Sequence, residues 1–180
     1  RGRPRRRSAP RLMDPTWRIV RVSEAPPELL ATLAAVKAIE QFPPRVAADE
    51  ASLADWLTAD RVLARFVALD AEGVARGHSQ VTSLHAYTAD AVRAVMAEPE
   101  QRLLEIGKLF VHPDHRRSGA GAALLDAATH AILEHDRTPC VVVVREWAAA
   151  RRLYQDKGFS EAARFDGKDG VNLVMVRRSS

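Results

Sequence analysis

Leu103-Leu104-Glu105-Ile106-Gly107-Lys108-Leu109-Phe110-Val111-His112-Pro113-Asp114-His115-Arg116-Arg117-Ser118-Gly119-Ala120-Gly121-Ala122-Ala123-Leu124-Leu125 is the stretch that decides the fold. Its apolar beginning reads as a strand over 103–111, Pro113 as a turn, and Arg116 to Gly121 as a basic glycine loop. A helix over 119–135 follows, with Leu124, Leu125, Ala128, Ile132 and Leu133 at helical spacing. The first N–H groups of a helix have no intrahelical partner and carry partial positive charge. Gly119 and Gly121 place no side chain in front of them, and Arg116 and Arg117 add charge beside them. The segment is therefore suited to hold a phosphate or pyrophosphate.

Upstream, Trp17 to Val22 alternates as a first strand. Pro26-Pro27 opens a helix over 28–39 that Pro43-Pro44 ends, and 48–57 reads as a second short helix. A strand over 65–70 turns at Ala71-Glu72-Gly73 into a returning strand over 74–84, polar enough to predict partial exposure. A helix over 88–101 follows, with Thr88 as its expected cap. Downstream, the β-branched run from Cys140 to Val144 predicts a buried strand. A helix over 147–157 stops at Gly158. Ala162–Phe165 and Val171–Val176 form a closing antiparallel pair around Gly167-Lys168-Asp169-Gly170. This order predicts one α/β (α+β) domain on a mixed sheet, a size that 180 residues support.

Composition narrows the function. No apolar stretch approaches the ~20 residues of a membrane helix, and no apolar segment follows the N-terminal charges as in a secretory signal. Cys140 is the single cysteine, so no internal disulfide forms, which fits a reducing, cytoplasmic setting. The net charge of +4 comes from Arg1, Arg3, Arg5, Arg6, Arg7 and Arg11. Without these six, the 27 basic residues become 21 against 23 acids, a balance of −2. The expected organisation is a basic arm over 1–13 and a mildly acidic domain over 14–180, which argues against a nucleic-acid-binding body. Arg1-Gly2-Arg3-Pro4 resembles the core of an AT-hook, an arm that enters the DNA minor groove. A plain extension ahead of Met13 accounts for the same residues.

Three phosphate loops compete for the central motif. A P-loop needs Lys and Ser or Thr after its last glycine, whereas Ala122 and Ala123 follow Gly121. A dinucleotide loop needs a third glycine and a tight turn after its strand; Gly119-Ala120-Gly121 offers neither, although Glu146 ends the next strand. Arg116-Arg117-Ser118-Gly119-Ala120-Gly121 resembles the Arg/Gln-x-x-Gly-x-Gly/Ala loop of the GNAT acyltransferase superfamily. Ala150-Arg151-Arg152-Leu153-Tyr154-Gln155-Asp156-Lys157-Gly158-Phe159 is similar to that family's Ala-x-x-Leu-Tyr-x-x-x-Gly-Phe signature. The resemblance covers 103–160, with the two motifs on opposite sides of the strand at 141–144.

The resemblance implies a single GNAT-like domain. Its sheet would be mixed, mostly antiparallel, of about six to seven strands, splayed at the centre and flanked by helices. It implies an N-acetyltransferase that moves an acetyl group from the co-substrate acetyl-CoA directly to a primary amine of a small molecule or peptide. Arg116, Arg117, Ser118, Gly119, Ala120, Gly121 and Ala122 would hold the pyrophosphate. The main chain of Leu109, Phe110 and Val111 would pair with the pantetheine arm, and the N–H near Leu109 would donate to the thioester carbonyl. Tyr154 matches the family's general acid beside the sulfur. Glu105 matches a glutamate that serves some members as base, often through water. Strand alternation would put Glu105, Gly107 and Leu109 on one face and Ile106, Lys108 and Phe110 on the other. Trp147 stands where the family often has an Asn that touches pantetheine.

Other residues have plainer readings. His112-Pro113-Asp114-His115 has no third ligand cluster beside it, so no metal is expected. His78 and His85 read as ordinary, partly exposed histidines that could also line an acceptor pocket, and Cys140 as packing. A non-catalytic acyl-CoA sensor and a DNA-associated protein acting through the arm are the alternatives. The segment over 88–101 could wall the acceptor pocket or form the interface of a homodimer.

Overall fold

The strands at 62–83 and the strand leading into the glycine loop pair in one sheet. The computed structural model describes residues 17–59, 62–95 and 102–178. Its strands are β1 (Arg18–Val22), β2 (Val62–Leu69), β3 (Ala75–Ser83), β4 (Leu103–Val111), β5 (Thr138–Val144), β6 (Ser160–Gly167) and β7 (Gly170–Val176). They lie in the order β1-β2-β3-β4-β5-β7-β6, and every neighbouring pair is antiparallel except β4 and β5. The helices are α1 (Glu28–Glu40), α2 (Glu50–Thr58), α3 (Ala86–Val95), α4 (Ala120–Leu133) and α5 (Ala148–Asp156). The expected α/β domain on a mixed, mostly antiparallel sheet is the one that forms, with seven strands. The basic arm and residues 96–101 of the expected third helix lie outside the described residues. Among the described residues no helix is long and apolar enough to cross a membrane.

Helices cover both faces. Leu124, Leu125, Ala128 and Ile132 of α4 pack against Phe66, Val81, Ile106, Val141 and Val143. On the opposite face, Leu29, Leu33 and Val36 of α1 and Leu53 and Leu57 of α2 pack against Val67, Ala75 and Phe110. Val92 of α3 covers Leu103, Cys140, Val174 and Val176. A fully buried leucine such as Leu29 or Leu124 contributes about 2 kcal/mol.

This double cover corrects the expectation for the returning strand. β3 is buried almost throughout: His78 and Ser79 are 0 % exposed, Gln80 1 % and Thr82 4 %. Two of its polar groups find partners on the helices. Ser79 Oγ donates to the Leu124 carbonyl at 3.3 Å, and Thr32 Oγ1 donates to that of Ala75 at 2.9 Å. Composition signalled polarity, but helices on both sides decided burial. Gly77 shows the tightness, since a Cβ there would sit 3.0 Å from Leu124 Cδ1 and 3.1 Å from the Phe110 carbonyl oxygen. The reading of His78 as partly exposed is corrected with it, whereas His85 stays half-exposed. Thr88 does not cap its helix either. α3 begins at Ala86, and Thr88 is buried within it.

Two irregularities in β4 position the site. Its parallel register with β5 runs only from Leu103–Thr138 to Glu105–Cys140. Beyond that β5 continues along β7 as far as Val144–Asn172, so β4 and β5 diverge. On the other side, the register with β3 passes from Gly107–Gln80 to Phe110–His78. Lys108 and Leu109 thus stand together opposite Ser79, a β-bulge. Lys108 has φ +48°, the left-handed region that costs a side-chain-bearing residue about 1 kcal/mol. The bulge overturns the expected alternation. Ile106 faces the α4 side, and so do Leu109 and Val111, while Phe110 faces α1 and α2.

Candidate active site

The divergence of β4 and β5 opens a cleft of about 980 Å³. Ile106 to Val111 form one wall, Val142 and Val143 the other, and α5 contributes Ala148, Ala149, Ala150, Leu153 and Tyr154. Arg116, Arg117, Gly119, Gly121 and Ala122 border the end near α4. The backbone of β4 past Glu105 has no β5 partner, so an extended chain of amide groups can lie in this slot and complete its hydrogen bonding.

The loop before α4 is built locally. Pro113–His115 form a single 3-10 turn, with His112 Nδ1 accepting from the Asp114 N–H at 3.3 Å. Arg117 at φ +57° and Gly119 at φ +88° then reverse the chain so that α4 starts at Ala120 with its N-terminus on the cleft. Gly119, the N-cap residue, supplies no capping side chain, which leaves the first amides of α4 for a ligand. Ser118 Oγ donates to the His115 carbonyl at 2.5 Å. The Trp17 indole N–H donates to the Ser118 carbonyl at 3.0 Å, and its ring meets His115 edge-on at 5.6 Å. Sequence reasoning missed Trp17 as the tether of this loop, because the contact spans 101 residues. It also missed Glu40, whose carboxylate pairs with Arg116 and joins the end of α1 to the loop.

Tyr154 lines the cleft from α5, with its side chain buried and its ring 6.1 Å from Phe159. Burial raises its pKa to about 12, so the phenol carries its proton at neutral pH. Trp147 precedes α5 at 40 % exposure and meets Phe42 edge-on at 5.7 Å. Phe42 meets Trp56 in the same manner at 5.5 Å. Phe42 and Trp147 line the cleft with Trp56 packed behind Phe42, a contact that the spacing of the three residues could not reveal.

The structure gathers Leu109, Phe110, Val111, Arg116, Arg117, Gly119, Gly121, Ala122, Trp147 and Tyr154 around one cleft. Ser118 and Ala120 belong to the same turn but do not line it; Ala120 is 1 % exposed and packs into the core. Glu105 is not brought in. It is buried on the α3 side, where the His85 N–H donates to its Oε2 at 3.5 Å. That carboxylate stands at the N-terminus of α3, where negative charge is favoured. Cys140 is fully buried, and desolvation together with the charge of Glu105 raises its thiol pKa well above the ordinary value. Among the described residues no group of three His, Cys, Asp or Glu could hold a metal ion.

A cleft at diverging parallel strands, with a helix N-terminus at one end and a tyrosine across it, is the geometry on which the comparisons bear. The family model described as acetyltransferase (GNAT) domain matches residues 59–178. The chain belongs to the GNAT acetyltransferase family. Among solved structures, a proposed acetyltransferase from Acinetobacter baylyi is 17 % identical, with 91 % of this chain and 93 % of that one covered and a TM-score of 0.66. A proposed GNAT-family acetyltransferase from Bordetella pertussis is 15 % identical over 84 % and 88 %, with a TM-score of 0.64. A spermidine N-acetyltransferase chimera from Vibrio cholerae is 18 % identical over 88 % and 94 %, with a TM-score of 0.58. No curated protein matches the sequence. These structural likenesses show the GNAT fold, and family membership supports an acyltransferase.

Proposed function

We propose that this GNAT protein is an acetyl-CoA-dependent N-acetyltransferase that acts on the primary amine of a small molecule or peptide. One observation carries the reading: the same cleft holds the bulged Leu109 backbone, the N-terminus of α4 and the protonated Tyr154. The residues fit the co-substrate. The amides at Gly119 to Ala122, with Arg116 and Arg117, suit its pyrophosphate, and the unpaired edge of β4 suits its pantetheine amides. Acetyl-CoA supplies the thioester and a thiolate leaving group.

The chain's own groups then have defined tasks. The Leu109 N–H donates to the thioester oxygen as the amine nitrogen adds to the carbonyl carbon. The C–N bond forms, the C–S bond breaks, and Tyr154 Oη gives its proton to the departing sulfur. The ammonium gives one proton to water before the attack, and the nitrogen gives a second to water as the amide forms. Tyr154 is then reprotonated from solvent.

A thiol-release assay with acetyl-CoA and a panel of amino acids, polyamines, aminoglycosides and peptide N-termini tests the reading. Release above hydrolysis with at least one amine is expected. Acetyl-CoA binding without consumption across the panel would replace it with the sensor reading.

A further inference from the structure

The bulge that presents Leu109 is clamped from behind. The Lys108 carbonyl and the Leu109 N–H belong to one planar peptide unit, and in a trans peptide they point in opposite directions. Whatever holds that carbonyl therefore aims that N–H. The Lys108 carbonyl oxygen lies 2.9 Å from His78 Nδ1. An oxygen acceptor there requires the proton on Nδ1, which leaves Nε2 as a bare lone pair. Among the described residues Nε2 is buried without a hydrogen-bond partner. His78 itself is 0 % exposed, with its ring stacked on Phe110 at 5.3 Å and 29°. A phenylalanine would fill this space without an orphaned nitrogen, so the donor at Nδ1 is what distinguishes histidine here. The Lys108 side chain adds a second hold: its ammonium donates to the Trp56 carbonyl and sits 4.8 Å over the Trp56 ring. The bulge is thus held by β3 through its backbone and by α2 through its side chain.

We infer that His78 is a positioning residue for acetyl transfer: its Nδ1–H fixes and polarises the Lys108–Leu109 peptide so that the Leu109 N–H meets the thioester oxygen. The inference rests on the transferase reading above. A donor bonded to a peptide carbonyl also strengthens the hydrogen bond made by the N–H of the same unit. His78 touches neither substrate and exchanges no proton. Burial, reinforced by the charges of Arg65 and Lys108, lowers its pKa to about 4, so it stays neutral and keeps one tautomer at working pH.

The test uses the full chain and two readouts. His78→Phe keeps the ring and removes the donor, whereas His78→Asn keeps an N–H near the position of Nδ1. His78→Phe is expected to lower kcat roughly tenfold to a hundredfold while acetyl-CoA affinity changes by less than about threefold. His78→Asn is expected to recover most of the loss. The second readout needs no acceptor: the carbonyl stretch of bound carbon-13-labelled acetyl-CoA, followed by infrared difference spectroscopy. It should move to lower wavenumber in the wild type and in His78→Asn, and return toward its solution position in His78→Phe. A folded His78→Phe with unchanged kcat and an unchanged stretch overturns the inference and leaves the transferase reading intact. A wild type that shows the shifted stretch yet acetylates no amine overturns the transferase reading and supports the polarising role of the clamp. Should His78→Phe fail to fold, a folded His78→Asn without the shifted stretch also overturns the inference.

Discussion

The loop before α4 and the bulge in β4 both offer backbone N–H groups to one cleft, yet they are made in opposite ways. The loop is shaped by neighbours in sequence: Pro113 in its first turn, Arg117 and Gly119 at positive φ, and a helix that begins at Ala120. The bulge is shaped by residues far away: His78, thirty positions upstream on β3, and Trp56, fifty-two positions upstream on α2. A ligand-holding loop needs exposed amides and positive charge, which consecutive residues can supply. A reacting N–H needs a fixed direction, which packing from several elements supplies. Loop variants should therefore change co-substrate affinity, and variants around the bulge should change turnover.

The largest effect is expected where the two meet. Tyr154→Phe should lower kcat roughly 10²-fold or more while calorimetry finds acetyl-CoA affinity unchanged. A loss of affinity with kcat preserved would make the tyrosine a wall and not an acid.

The next effect lies on the bulge side and reads as stability. The unfolded chain protonates His78 near the ordinary value of 6.5, the folded chain only near about 4. The contribution of the neutral, buried ring is complete above pH 6.5 and is lost as pH falls toward 4, by about 3 kcal/mol. Denaturant melts from pH 7 to 4 should show this fall in the wild type, beside any from other groups. In His78→Phe the fall should be smaller by that amount.

Gly119→Val probes the loop. A β-branched residue at φ +88° should cost about 1–2 kcal/mol of stability and weaken acetyl-CoA binding roughly tenfold, with kcat at saturation little changed. The smallest effect is expected for Trp17→Phe. It deletes the indole N–H to Ser118, a bond contributing about 1 kcal/mol, and should raise the acetyl-CoA Kd by up to about fivefold. A drop in kcat from either loop variant, without a change in Kd, would break the division between the two regions.

The legibility of the sequence follows the same division. Leu103–Val111 was readable as a strand to the residue, because Leu, Ile, Phe and Val dominate it and Pro113 closes it. The helix after Gly119 and the stop at Gly158, with φ +82°, were readable because glycine and apolar spacing are local signals. The burial of β3 was not, since Gln80 and Thr82 look exposed until helices cover both faces. The bulge was not, since nothing in Gly107-Lys108-Leu109 marks where alternation slips. Glu105 was placed on the right strand, but its seat at the start of α3 depends on a helix inserted between β3 and β4.

By itself the sequence determined the order of elements, the loop at Arg116 to Gly121 and the tyrosine at position 154, because each rests on the conformational preferences and spacing of adjacent residues. The tertiary structure decided which face Leu109 presents and which groups hold its peptide. The slip in register between β3 and β4 places His78 behind the Lys108 carbonyl, and only the pairing of strands distant in sequence can set that register.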